Sequence, residues 1–260
     1  MKARIITAVL WGAIVGLITY IGGTLFDVLY LGITFIAIYE ITKLMQNDKK
    51  FPYEAVVNYG FAVGLFLIEF FKSPEAIIIV ILIYTSANFI FFVTMGKVTL
   101  ARLSQSFFVG FYVVLFMYHM VMINDTAYVW LIYIIAFSTD TFAYFVGVFF
   151  GKHKLCPHVS PNKTVEGAIG GIVGCVATTL TYCYFINLRN YLFLVIFIVF
   201  TSIFSMVGDL LASKIKREYG VKDYGNFLPG HGGILDRFDS VLFVAPVVYY
   251  FAYYFIEYFR

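Results

Sequence analysis

Apolar residues run through this chain in blocks of about 20, broken by short polar interruptions, and a block of that length as a helix spans a bilayer's hydrocarbon core. Stretches such as Ala76 to Val93 are apolar on nearly every face, so the two-residue alternation of a membrane barrel is absent. In lipid such a segment must satisfy its own backbone groups, which makes it a helix. Nine spans are predicted, at 5–22, 24–43, 53–70, 76–95, 104–123, 127–149, 165–186, 190–211 and 239–258. The fold class is therefore all-α, a polytopic integral membrane protein. The chain reads as one membrane domain, 1–260. Residues 1–123 make an apolar helical half, and residues 124–260 carry the polar chemistry. Most connections are short. The two long ones, Gly151 to Thr164 and Ser213 to Arg237, are where function is expected.

Composition agrees: of 260 residues, 62% are hydrophobic, 20% aromatic and only 13% charged, which excludes an ordinary soluble domain. The basic start and apolar run of the first 23 residues imitate a signal peptide, but no small-x-small cleavage site follows, and a first span is the better reading. Charge sets the orientation. With the N-terminus cytosolic, only Lys72, Arg189 and Arg260 of the 18 Lys and Arg fall outside, as the positive-inside rule requires. Cys156, Cys175 and Cys183 are odd in number and suggest neither a disulfide framework nor a metal site. Asp27 and Glu69 read as interfacial or capping acids. Glu40, at the cytosolic end of the second span, is as readily functional as structural.

Against this background the segment Ser205 to Asp239 is dense in charge. A charge at a bilayer centre costs about 2.5–3.5 kcal/mol even on the mildest scale, so charges beside spans mark function. Ser205, Asp209 and Ser213 recur at i, i+4 and form one stripe, continued by Lys216 and Arg217. Asp236 and Asp239 share a face at i, i+3. Between these lie Lys222, Asp223 and the turn Pro229-Gly230-His231-Gly232-Gly233, followed by Arg237. Carboxylate-only ligand sets favour a hard cation such as Mg²⁺, which binds one or two carboxylates plus substrate phosphates. A Gly-rich turn before a helix offers N–H groups to an anion. Acids, bases and such a turn together describe phosphoryl or nucleotidyl transfer. The competing explanation is a basic loop that binds anionic lipid head groups.

Two further constellations stand outside this block. Asp140 and Tyr144 lie at i, i+4 within the sixth span, either as the wall of a polar site or as an interhelical hydrogen-bonding cluster. Ser160, Lys163 and Glu166 follow, with Lys163 near a helix start suited to phosphate. The glycines from Gly167 to Gly174 read as close helix packing, since no strand precedes them and no Gly-x-Gly-x-x-Gly occurs.

The pattern Ser213-x-Ile215-Lys216-Arg217-x4-Lys222-Asp223-x-Gly225-x2-Leu228-Pro229-x-His231-Gly232-Gly233-Ile234-x-Asp236-Arg237-Phe238-Asp239 resembles, without a break, the signature of the phosphatidate cytidylyltransferases, or CDP-diacylglycerol synthases. A second similar stretch runs from Asp140-Thr141-x-Ala143-Tyr144-x2-Gly147 through Gly151-Lys152 to Ser160-Pro161-Asn162-Lys163-Thr164-x-Glu166-Gly167. The family often carries Lys where this chain has Asn162, which leaves Lys163 as that segment's cation. Together these motifs cover about Asp140 to Ser240; the first half resembles the family only in hydropathy.

The resemblance implies that CTP and phosphatidic acid react to give CDP-diacylglycerol and pyrophosphate with Mg²⁺, and with a second cation such as K⁺. It implies Asp209 and Asp236 as metal ligands supported by Asp239, with Lys216 and Arg217 in the catalytic set. Ser160, Lys163, Lys222, Gly230, His231, Gly232, Gly233 and Arg237 would bind substrate phosphates, and Asp140, Tyr144, Glu166, Ser205, Ser213 and Asp223 would support them. The expected partners are CTP, phosphatidic acid and membrane lipid; no nucleic acid is expected, and a homodimer is allowed. The expected location is a membrane, the plasma membrane if the source is bacterial, with the site on the cytosolic face. Rival readings are another CTP-using lipid enzyme (a CDP-archaeol synthase or polyprenol kinase) and an ion-coupled transporter. The transporter would need paired broken spans in inverted halves.

Overall fold

A computed structural model describes residues 2–46, 52–227, 230 and 232–255, with side chains from residue 9 onward. The described chain is helical almost throughout. The helices are α1 Lys2–Ile21, α2 Gly23–Met45, α3 Tyr53–Phe70, α4 Ile77–Thr94, α5 Leu100–Val109, α6 Phe116–Met122, α7 Val129–Phe150, α8 Val165–Phe185, α9 Tyr191–Glu218 and α10 Leu235–Phe255. A π-helical turn, Gly110–Leu115, joins α5 to α6 into one rod. Among the described residues eight helical segments are long and apolar enough to cross a membrane, and Val9–Ile21 of α1 is apolar but shorter. The polytopic all-α architecture read from hydropathy is therefore present. Segment Pro74–Thr94 is only 11% buried, which leaves an exposed Ile- and Phe-rich surface of the kind that suits lipid.

Three departures from the hydropathy reading have local causes. The first long connection is not an irregular loop: Lys154–Cys156 (β1) and Ser160–Thr164 (β2) pair as an antiparallel hairpin. The hairpin is tied to the start of α8, where Val165 N–H donates to the His153 carbonyl at 2.9 Å. Secondly, α9 continues to Glu218 rather than ending near 211, which places Ser213, Lys216 and Arg217 on a helix. It stops where Gly220 takes a left-handed φ of 68°. There Gly220 N–H donates to Arg217 O and Val221 N–H to Lys216 O, the pair of bonds that closes a Schellman terminus. Thirdly, α10 begins at Leu235, four residues before the predicted apolar start. Hydropathy marks where apolar side chains begin, whereas a helix begins where its first N–H groups find acceptors.

The Cα positions form two compact units, Met1–Asn124 with Asp223–Arg237, and Asp125–Lys222 with Phe238–Arg260. In the first unit, α3 and α4 are joined to α5 by buried and half-buried polar contacts. Asn58 Nδ2 donates to Ser106 O at 3.2 Å, Tyr84 Oη donates to the same carbonyl at 2.8 Å, and Arg102 Nη2 donates to Glu54 Oε2 at 2.7 Å. In the second unit, α7 and α8 approach through their small residues. A Cβ on Gly170 would lie 2.5 Å from Val146, and one on Gly174 would lie 2.1 Å from Phe142, so only glycine admits this packing. The packing reading of these glycines holds. Phe197 of α9 stacks on Phe251 of α10 with ring centroids 3.8 Å apart.

Candidate active site

Within the second unit, four elements bring charge together. Gly208 of α9 packs against α10 so closely that a Cβ there would stand 2.7 Å from the Asp239 carbonyl oxygen. That approach brings together the neighbourhoods of Asp209 and Asp239, both half-buried. Asp239 lies within electrostatic range of Asp209, Asp140 and Lys216. From α7, Asp140 faces the same group: its Oδ2 accepts from Ser240 Oγ at 2.9 Å, and it feels both Asp209 and Lys163. Lys163, delivered by β2, pairs with Asp209 Oδ2. Ser213 Oγ reaches Asp209 Oδ1 at 3.5 Å, one turn along α9. Ser205, one turn before Asp209, is fully buried, and its Oγ has no hydrogen-bond partner.

Three carboxylates drawn together from α7, α9 and α10 with Lys163 and Lys216 among them suit a divalent cation and phosphate oxygens. Among the described residues no group of three or more His, Cys, Asp or Glu side chains is placed to hold a metal ion by itself. Mg²⁺ needs none, because it takes one or two carboxylates and fills its shell with substrate phosphates and water. The donor set is all oxygen and half-buried, and the orphaned Ser205 hydroxyl lies on the same stripe, so the residues present fit such an ion.

Two other predicted residues, Glu166 and Arg217, have structural partners. Glu166 accepts from Lys152 N–H at 3.0 Å and His153 N–H at 3.1 Å and pairs with His153 Nδ1 at 2.6 Å, fastening the hairpin to α8. Thr164 caps that helix by accepting from Gly167 N–H at 3.1 Å. Arg217 is exposed and donates to Val221 O at 2.9 Å, while Lys216 is buried. Ser160 is half-buried on β2, and Lys222 is exposed beyond the end of α9. Tyr144 is 66% exposed, with its ring against Phe145: a helical i, i+4 relation to Asp140 does not aim both side chains alike.

The first unit contains the Gly-rich turn. Asp236, buried, accepts at Oδ2 from Tyr224 N–H at 2.8 Å and Gly233 N–H at 2.9 Å, pinning the two ends of the segment between them. Gly230 and Gly232 take left-handed φ values of 78° and 85°, a region that side chains resist. Gly232 also leaves no room for a Cβ without pressing on Asp236 Oδ2 and Asp223. Asp223 and Arg237 are exposed. Pro229 and His231 lie outside the described residues.

Sequence reasoning assigned no role to Ser240 or Gly208. Ser240 was findable as the hydroxyl next to Asp239; Gly208 had no signal beyond its place before Asp209.

The chain matches the family model described as "Cytidylyltransferase family" over residues 2–255. A phosphatidate cytidylyltransferase of Bacillus subtilis (strain 168) is 34% identical over 275 residues, which cover 96% of this chain and 97% of that protein. Proteins of the same name from Staphylococcus haemolyticus (strain JCSC1435) and Staphylococcus aureus (strain COL) are 48% identical over 123 residues and 46% identical over 122. Those two matches each span 46% of this chain and 47% of the relative.

Proposed function

Since the chain belongs to the cytidylyltransferase family, we propose that it transfers the cytidylyl group of CTP to phosphatidic acid, forming CDP-diacylglycerol and releasing pyrophosphate. The observation that carries this reading is the gathering of Asp140, Asp209 and Asp239 with Lys163 in a chain otherwise built for lipid. A transporter reading has no comparable support, because these acids arise from the second half alone.

Phosphatidic acid supplies its own nucleophile. A phosphate oxygen attacks the α-phosphorus of CTP, the bond to the β-phosphate breaks, and pyrophosphate leaves with that electron pair. No covalent enzyme intermediate and no deprotonating base are needed, so the protein's task is positioning and charge neutralisation. Lys163 and Lys216 would neutralise phosphate oxygens beside the acids, and Lys222 and Arg237 would contribute charge from exposed positions. Gly230 and Gly232 would let backbone approach phosphate. Asp209 and Asp239 would hold Mg²⁺, which supplies Lewis-acid stabilisation of the charge on the triphosphate. Asp236, with one oxygen on two amides, holds the turn; a share in metal binding would show as a shifted Mg²⁺ dependence in Asp236→Asn. A second cation such as K⁺ would add further neutralisation of the triphosphate beside the same acids.

One substrate is a lipid and the other is water-soluble, so the site belongs at a membrane interface. The distribution of Lys and Arg supports the cytosolic face, and in a bacterium the plasma membrane. Neither nucleic acid nor a second copy of the chain is required by the reaction. The test is turnover by purified protein in vesicles containing phosphatidic acid, with labelled CTP, with and without Mg²⁺. Mg²⁺-dependent labelled CDP-diacylglycerol is expected. Labelling only of an isoprenoid acceptor would move the reading to another CTP-using lipid enzyme.

A further inference from the structure

We infer that Glu40 is a positioning residue for the Gly-rich turn, a role that rests on the cytidylyl-transfer reading. Glu40 projects from α2, far from the signature in sequence, and is 3% exposed. A buried carboxylate on a membrane helix is retained only with strong partners. Its partners are two consecutive amides: Ile234 N–H donates to Oε1 at 3.0 Å, and Leu235 N–H donates to Oε2 at 2.9 Å. These are the opening N–H groups of α10, which have no acceptor within their own helix and carry its positive dipole end.

The signature makes room for this carboxylate. A Cβ on Gly225 would stand 2.7 Å from Glu40 Oε1, and one on Gly233 would stand 2.5 Å from Oε2. Glu40 thus gives a physical reason for glycine at two signature positions. Asp236 takes the amide of Gly233 and Glu40 takes the next two, so three successive N–H groups are held by two carboxylates. An anion does sit at this helix start, as a Gly-rich turn before a helix suggests, but it is internal. The Ile234 and Leu235 amides are therefore not available to a substrate phosphate. Glu40 acts through the backbone it holds, fixing the Ile234–Leu235 end from which the turn departs.

The test compares wild type with Glu40→Gln and Gly225→Ala, the second crowding the carboxylate without removing its charge. Each is purified as a monodisperse protein and assayed for Mg²⁺-dependent CTP turnover on phosphatidic acid vesicles, with hydrogen exchange of the 224–235 segment. The expected result is a fall in kcat of roughly 10²-fold, the scale of a small misplacement, with both KM values within about twofold. Exchange at Ile234 and Leu235 should rise by roughly 10- to 100-fold, the loss that a hydrogen bond to a charged group carries. Glu69→Gln, at an exposed ion pair with Lys72, should match wild type. Wild-type kcat in Glu40→Gln, or a loss that only tracks the unfolded fraction while exchange at 234–235 is unaltered, would overturn the role. So would recovery of both variants only as unfolded protein, which would make Glu40 a folding residue. Absence of turnover in wild type would instead remove the cytidylyl-transfer reading, and the exchange measurement would still report the cap.

Discussion

Asp209, Asp236 and Asp239 look alike in the sequence, and their surroundings separate them. Asp209 meets Lys163 and Ser213, and Asp239 faces Asp209 and Asp140, while Asp236 grips two backbone amides. Asp209→Asn and Asp239→Asn should each lower turnover by roughly 10²- to 10³-fold, the cost of removing one well-placed electrostatic group, with some of the loss recovered at raised Mg²⁺. Asp236→Asn should lose activity with faster exchange at Tyr224 and Gly233 and with its Mg²⁺ dependence unchanged; a shifted Mg²⁺ dependence would return Asp236 to the metal set. Residue types and the i, i+4 stripe of α9 were legible in the chain. Which oxygen was already engaged was not, because that depends on amides up to 12 residues away.

At the scale of elements, helix existence was legible and helix ends were less so. Apolar length predicts a span, but ends depend on caps: Gly220 closes α9, and an acid from α2 opens α10. No Cβ at Gly220 would meet another atom within 4 Å, so Gly220→Ala should cost only left-handed strain, about 1–2 kcal/mol, read as a modestly lower unfolding temperature. Gly174→Ala drives a methyl into the Phe142 ring and should cost about 1–3 kcal/mol or misassemble α7 and α8. Gly12→Ala, with open space around it, should be neutral or stabilise by up to about 1 kcal/mol through helix propensity. Thermal unfolding in one detergent ranks all three. The β-hairpin escaped the hydropathy reading because its strands, Leu155 and Cys156 apart, are polar or proline and show no apolar alternation. Glu166 fastens it from the helix side.

For the whole molecule, folding and chemistry draw on different forces. Apolar helices and their small-residue contacts build the protein, whereas Asp140, Asp209, Asp239 and Lys163 are the groups proposed to serve the reaction. A chelator should therefore abolish turnover and leave the far-ultraviolet circular dichroism and unfolding temperature nearly unchanged, with activity restored by Mg²⁺; unfolding on chelation would make the ion structural. The sequence by itself determined the membrane class, the helical spans and the block of residues that resembles a cytidylyltransferase signature. It could do so because bilayer thickness, helical period and charge cost act on neighbours along the chain. Tertiary structure alone decided that Asp140 and Ser240 join Asp209, that Tyr144 turns away, and that Glu40 holds the start of α10. The first and last of those outcomes depend on close approach at glycines, of α9 to α10 at Gly208 and of the Glu40 side chain to Gly233, distances set by packing between segments far apart in sequence.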